Sequence, residues 1–172
     1  MPFTPFHWGP ALFVGIYTRE YFDFTALMIS SVLIDFRAAM VLFGFLEPPL
    51  HGSLHSFIGA IITAAATTAL IYLLEDYRAK ILDFIGFRQA FSIKKIFAGA
   101  VIGSWIHVIL DAFIYSDMSF YLLNQNIFLG GLSTVQVYAF CIFTGVLGFL
   151  ILLSKLDKSP VQITREINLA LS

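Results

Sequence analysis

The sequence predicts an all-α fold, an integral membrane bundle of about five helical segments plus an amphipathic surface helix. Three observations carry this. Hydrophobic residues make up 59% of the 172 and charged residues only 12%, with a mean hydropathy of +0.86, whereas soluble domains run near a quarter charged. Apolar stretches long enough to cross about 30 Å of hydrocarbon recur along the chain. Lysines and arginines gather in some connecting segments and are missing from others.

Taken in order, the stretch 8–18 reads as a short helix, about half a bilayer thick at 1.5 Å per residue. It is expected to be a tilted span, a re-entrant helix or an interfacial one. The stretch 24–46 is a full span, and Glu47-Pro48-Pro49 ends it and helps start the next, since proline suits only a helix's first turn. The second full span is 55–74. The stretch 76–93 mixes charge with Ile81, Leu82, Phe84, Ile85 and Phe87, the pattern of an amphipathic helix on a membrane surface. Spans 96–116 and 134–154 follow, separated by the aromatic stretch 117–133, which lacks Lys and Arg and is expected at the opposite interface. The tail after Lys155 reads as a short surface helix or disorder. All of this fits one membrane domain over 1–172, with no marker of a second.

Other classes are disfavoured. A net charge of −1 gives no field for a polyanion, so nucleic acid is not an expected partner. A lone cysteine, Cys141, rules out an internal disulfide. The opening "MPFTPFHWGPALF" has no basic n-region and is broken by Pro2, Pro5 and Pro10, so it does not read as a cleavable signal peptide.

With five crossings, Arg19, the 78–95 loop and the tail place every basic cluster on one face. The other face, holding 47–54 and 117–133, has no Lys or Arg. The positive-inside rule makes the basic face cytoplasmic, with the N-terminus outside and the C-terminus inside. The expected location is a plasma (inner) membrane of a prokaryote.

On that topology the ionisable groups converge. His7, His51 and His55 lie at outer helix ends, Asp35 near mid-depth, and His107 and Asp111 in the outer half of 96–116. A carboxylate near a bilayer centre costs roughly 2.5–3.5 kcal/mol on insertion scales, so it needs a partner and a task. His107 and Asp111, four residues apart, share a helix face and can hold one metal ion. Below them on the same stripe, Gly103 and Gly99 admit either a groove or the backbone of a neighbouring helix. Plainer readings stand beside these. His107 can be a hydrogen-bonded packing residue, His7 an interfacial residue next to Trp8, and His51 a surface residue, while His55-Ser56 can simply begin a helix. Asp35 and Arg37, two apart, point to nearly opposite faces and do not make a natural pair.

The order His7, Asp35, His55-Ser56, His107-x3-Asp111 resembles the membrane-bound metal-dependent hydrolase family related to the YdjM proteins. Their "MPFTP.H"-like opening is matched by "MPFTPFHWGP", and the likeness spans most of residues 1–130. The ligand order is also similar to that of zinc-dependent phospholipase C and P1 nuclease. There are departures. The family's Pro-Asp-x-Asp motif stands here as Ile34-Asp35-Phe36-Arg37, with one carboxylate lost and a cation gained. His51 is displaced by one position, the family's neighbouring Arg is absent, and no histidine follows His107. One or two metal ions is therefore the limit, not three.

The expectation is a membrane-embedded metal-dependent hydrolase. Its expected metal ligands are His7, Asp35, His55, His107 and Asp111, with Asp111 and Arg37 in the catalytic roles. Mixed imidazole and carboxylate ligands favour zinc, with manganese or iron as alternatives. Hydroxide made at the ion would attack a phosphoester, and Arg37 would grip a phosphate oxygen. A site within the bilayer implies a lipid or lipid-linked substrate. The competing expectation is a carrier or assembly subunit binding ions or protons with the same cluster, for which Thr63, Thr67 and Thr68 are the only polar candidates for a continuing path.

Overall fold

The computed structural model describes residues 4–48, 52, 54–116, 118 and 126–156. His51, residue 117 and residues 119–125 lie outside them, as does the tail beyond Leu156. A 3-10 turn, Thr4–His7, leads into seven α-helices: α1 Trp8–Thr18, α2 Phe24–Leu33, α3 Phe36–Leu42, α4 Phe57–Leu73, α5 Glu75–Phe84, α6 Ile93–Ala112 and α7 Thr134–Leu156. No strand occurs among the described residues.

Helix α6 is the centre. Its Gly99 and Gly103 face α2 so closely that a Cβ on Gly99 would stand 2.7 Å from the Asp23 carbonyl oxygen, and one on Gly103 would overlap the Leu27 carbonyl. The small-residue stripe is therefore filled by the backbone of α2, running parallel to α6, and is not a groove. On its other side α4 runs antiparallel, with Ala60 against Val108 and Ala112, and Ala64 and Ile71 against Ala100 and Ile96. Helix α7 turns Val137, Cys141, Thr144 and Gly148 inward at helical spacing. Gly9 and Leu12 of α1 lie along that stripe, against Cys141 and Gly148.

Local sequence sets the helix starts. The Asp23 carboxylate accepts from the Ala26 amide at 2.9 Å, and the Ser56 hydroxyl from the Gly59 amide at 3.0 Å. Each caps a first turn whose amides lack intrahelical partners. The chain thus passes up and down five times, but three helical stretches are long and apolar enough to cross a membrane: Phe24–Leu42, Ile93–Ala112 and Thr134–Lys155. Helices α4 and α5 make a fourth only if counted as one span bent by 87°. That corrects the expected five. The 11 residues of α1 reach only about 16 Å.

Two further expectations change. The 24–46 span ends at Leu42 and breaks at Ile34–Asp35, where the Asp35 amide bonds the Val32 carbonyl, not that of Ser31. The surface helix is shorter than 76–93, ending at Phe84 before a turn through Gly86 at φ 68°. Its Tyr77, Ile81 and Phe84 are exposed along one stripe, while Arg78 is buried. Nη2 and Nε of Arg78 both reach Asp23, Nε at 2.8 Å, and Nη1 reaches Glu75 at 2.8 Å. Sequence reading counted Arg78 among the basic residues of the 78–95 loop; the structure makes it the centre of a buried ion-pair network.

Candidate metal centre

The break in the α2–α3 pass creates the site. Because the Asp35 amide turns to Val32, the Ser31 carbonyl accepts from His107 Nδ1 at 2.7 Å. Asp35 then sits at the corner, its carboxylate facing α6. One turn above His107, Asp111 shares its face. His55 arrives on the turn before α4, its amide bonded to the Gly52 carbonyl at 3.0 Å, with the Ser56 cap fixing the helix entry behind it. His7 ends the 3-10 turn. Phe6 packs edge-on to Tyr138 with centroids 5.2 Å apart. Trp8 stays half exposed, and the His7 ring is buried over His107, stacked at 3.9 Å.

The functional atoms converge. Asp35 Oδ1 lies 3.0 Å from His55 Nε2 and 3.2 Å from His107 Nε2. His107 Nε2 lies 3.1 Å from Asp111 Oδ2, and His7 Nε2 lies 3.2 Å from Asp111 Oδ1. Asp35, His55, His107 and Asp111 offer ligand atoms all within 4.8 Å of one another. Such a buried His/Asp group can hold a metal ion. The distances suit it, since ligand atoms about 2.0–2.1 Å from a tetrahedral zinc stand about 3.3 Å apart.

The proton count at His107 is the sharpest constraint. The Ser31 carbonyl can only accept, so Nδ1 carries a hydrogen. Nε2 then faces carboxylate oxygens of both Asp35 and Asp111, and if it were bare the three would meet lone pair to lone pair. A metal ion or a proton belongs among them, the proton either on the ring or on one of the carboxyls. An Nδ1–H donated to a backbone carbonyl is also the usual way a ligating histidine is oriented. Two buried carboxylates beside three imidazoles carry the same implication, because uncompensated charge is costly to bury. His7 adds to it: neither ring nitrogen makes an aligned hydrogen bond among the described residues.

Asp35, with its side chain 10% exposed, is the least buried of the five; His55 and His107 are at 0%. Among the described residues the cluster is least covered on the Asp35 side, beside the exposed Phe36. Arg37 packs on Gly52, in the loop that presents His55, and its Nη2 donates to the Glu47 carbonyl at 3.4 Å. The structure thus gathers His7, Asp35, His55, His107 and Asp111, and puts Arg37 in the first turn of α3, against the adjoining loop. Sequence reading missed Ser31, whose contribution is a backbone carbonyl freed by a helix break, so no side-chain pattern announces it.

The chain is thus an all-helical protein with a buried His/Asp centre able to hold a metal ion. No protein-family model, curated protein or solved structure matches it.

Proposed function

We propose that this protein is an integral membrane hydrolase that uses one or two divalent ions, zinc first, to cleave a phosphoester in a lipid or lipid-linked substrate. The observation that carries the reading is His107, tied by Nδ1 to Ser31 while Nε2 meets two carboxylates in a place that a divalent ion would suit. Residence in the bilayer is supported by the apolar outer faces. Val135, Phe140, Ile142, Phe143, Phe149 and Leu150 of α7 are all exposed, a larger apolar surface than soluble monomers present. Asp35, His55, His107 and Asp111 would hold the first ion, and Asp111 Oδ1 with His7 a second. A bound divalent ion would supply Lewis acidity and a water ionisable near neutral pH.

Around it, this chain's own groups have separate tasks. Asp111, bonded to His107 through one oxygen and 3.2 Å from His7 through the other, would orient the His107 ring and accept a proton from an attacking water. Arg37, in the first turn of α3 and packed on Gly52 of the His55 loop, would meet a phosphate oxygen arriving past Asp35. The orientation follows the charge: His7, Asp35, His55 and Asp111 lie at the end of the bundle opposite Arg19, Arg88 and Lys95, so the site faces outside when the basic end is cytoplasmic.

The carrier reading asks for a polar route beyond the cluster. Thr63, Thr67 and Thr68 bond the carbonyls of Gly59, Thr63 and Ala64 within their own helix, at 3.3, 2.9 and 2.8 Å. Their donors are used locally, which weakens the carrier reading.

The test is hydrolysis of a lipid phosphoester panel by the purified protein with added zinc or manganese, in parallel with Asp111→Asn. The expected result is metal-dependent turnover that falls by orders of magnitude in a variant that still inserts and folds. Absence of turnover on every substrate, with or without metal, refutes the hydrolase.

A further inference from the structure

At the end of the bundle away from the cluster, a cavity of about 870 Å³ opens between the end of α1, the turn after α5 and the start of α6. We propose that it binds the phosphate of an anionic phospholipid whose head also carries hydroxyls. Three cations from three separate segments line it, Arg19, Arg88 and Lys95, and so do the carboxylates of Glu20 and Asp83.

Each cation is held by something that leaves its charge available. The Arg19 guanidinium lies over the Phe87 ring, 5.0 Å from its centroid, so its flat face is packed while its N–H edge is not consumed by a carboxylate. The Lys95 ammonium donates to the Glu20 backbone carbonyl at 2.6 Å, which fixes its position but leaves its charge unneutralised. Arg88 bonds Asp83 at 2.9 Å, but both partners are more than half exposed, and such pairs contribute little and exchange readily. A phosphate diester can take bidentate bonds from either arginine. The carboxylates, which repel the phosphate itself, suit the hydroxyl donors of a glycerol head.

The walls are built, not incidental. Gln89 donates to the Arg19 and Phe22 carbonyls and accepts from the Phe24 amide, tying the cavity wall to the α1–α2 turn. Gly86, at φ 68°, makes the turn that swings Arg88 over the opening. Beside it, α5 presents Tyr77, Ile81 and Phe84 on one exposed stripe, the disposition of a helix seated at a bilayer interface. A lipid head is thus the anion that this location would meet. The inference rests on the membrane reading and is independent of the metal chemistry at the other end.

The experiment is native mass spectrometry of the detergent-solubilised full chain with phosphatidylglycerol, phosphatidylcholine or soluble glycerol phosphate. Phosphatidylglycerol should bind most tightly. A basic residue near an anionic surface contributes about 1 kcal/mol, so Arg19→Gln, Arg88→Gln and Lys95→Gln should each weaken it about fivefold. Lys94→Gln, one residue along but not lining the cavity, should leave it unchanged. If phosphatidylcholine binds equally, or Lys94→Gln costs as much as Lys95→Gln, the site is refuted in favour of a diffuse surface charge. Equal binding of glycerol phosphate overturns the lipid as the source. Failure of the membrane reading shows separately, as a chain that stays in solution without detergent.

Discussion

Adding zinc to the purified protein should raise its unfolding temperature, and His107→Ala should abolish the rise. His107 Nε2 is the atom that both carboxylates share, 3.2 Å from Asp35 and 3.1 Å from Asp111. Without it only Asp35, His55 and Asp111 of the four clustered groups remain, and the atom that joins the two carboxylates is gone. An ion that binds the folded chain alone stabilises it by about 2.7 kcal/mol at a hundred times its Kd. For a chain of this size each kcal/mol moves Tm by about 2–4 °C, giving a rise of about 5–10 °C. The substitution also removes a fully buried ring and strands the Ser31 carbonyl, which costs about 1–3 kcal/mol with no metal involved. The quantity to compare is therefore the difference between zinc and chelator within each protein, followed by differential scanning fluorimetry in detergent. An equal rise in His107→Ala, or no rise in the parent with zinc, manganese or iron, refutes the metal centre.

Arg78→Met should lower stability by about 3–5 kcal/mol, because it leaves Asp23 charged and buried without its guanidinium; denaturant unfolding measures it, and a loss under 1 kcal/mol would mean that the network is slack. Gly103→Ala should destabilise clearly, since its Cβ meets the Leu27 carbonyl and Ser30 Oγ, whereas Gly44→Ala, with open space but φ 78°, should cost only about 1 kcal/mol. Cysteines placed at the exposed Glu47 and Ile127 should react with impermeant reagents from outside the cell, and one at Arg88 should not. The native Cys141 is buried and should stay silent; labelling at Arg88 from outside would reverse the orientation.

The long helices were legible because they are local. An apolar run such as 134–154 declares itself, and its helix, α7, spans Thr134–Leu156. The i, i+4 spacing of His107 and Asp111 was likewise readable, since helical period alone places both on one face. Ser56 announced the start of α4 as a capping residue does. The break at Ile34–Asp35 was not readable, because no Gly or Pro marks it and the group that takes the freed Ser31 carbonyl, His107, stands across the bundle. Arg78 was misplaced for a similar reason. In a stretch holding Glu75, Asp76 and Lys80 it looks like any solvated charge, and its partner Asp23 stands 55 residues away. Period and composition report what a residue can do locally, and neither reports a partner brought in by the fold.

Both polar centres act on one seam. Between them α2 and α6 touch through glycine and backbone, with Gly99 against Asp23 and Gly103 against Leu27, so few side chains there resist sliding. Their register is set by the ends. At one end Asp23 caps α2 and grips Arg78, its amide bonding the Lys95 carbonyl at 3.0 Å. At the other, His107 holds Ser31 and meets Asp35. The first end is closed by paired opposite charges and is complete as it stands. The second gathers carboxylates and imidazoles that need a metal ion or a proton between them. A close-packed seam anchored at its far end keeps these groups at near-ligating distances with no ion between them, and under the proposed metal reading such preorganised ligands would bind without a further ordering cost. The glycines of the stripe and the buried Arg78 are in this sense parts of the site, although neither touches it.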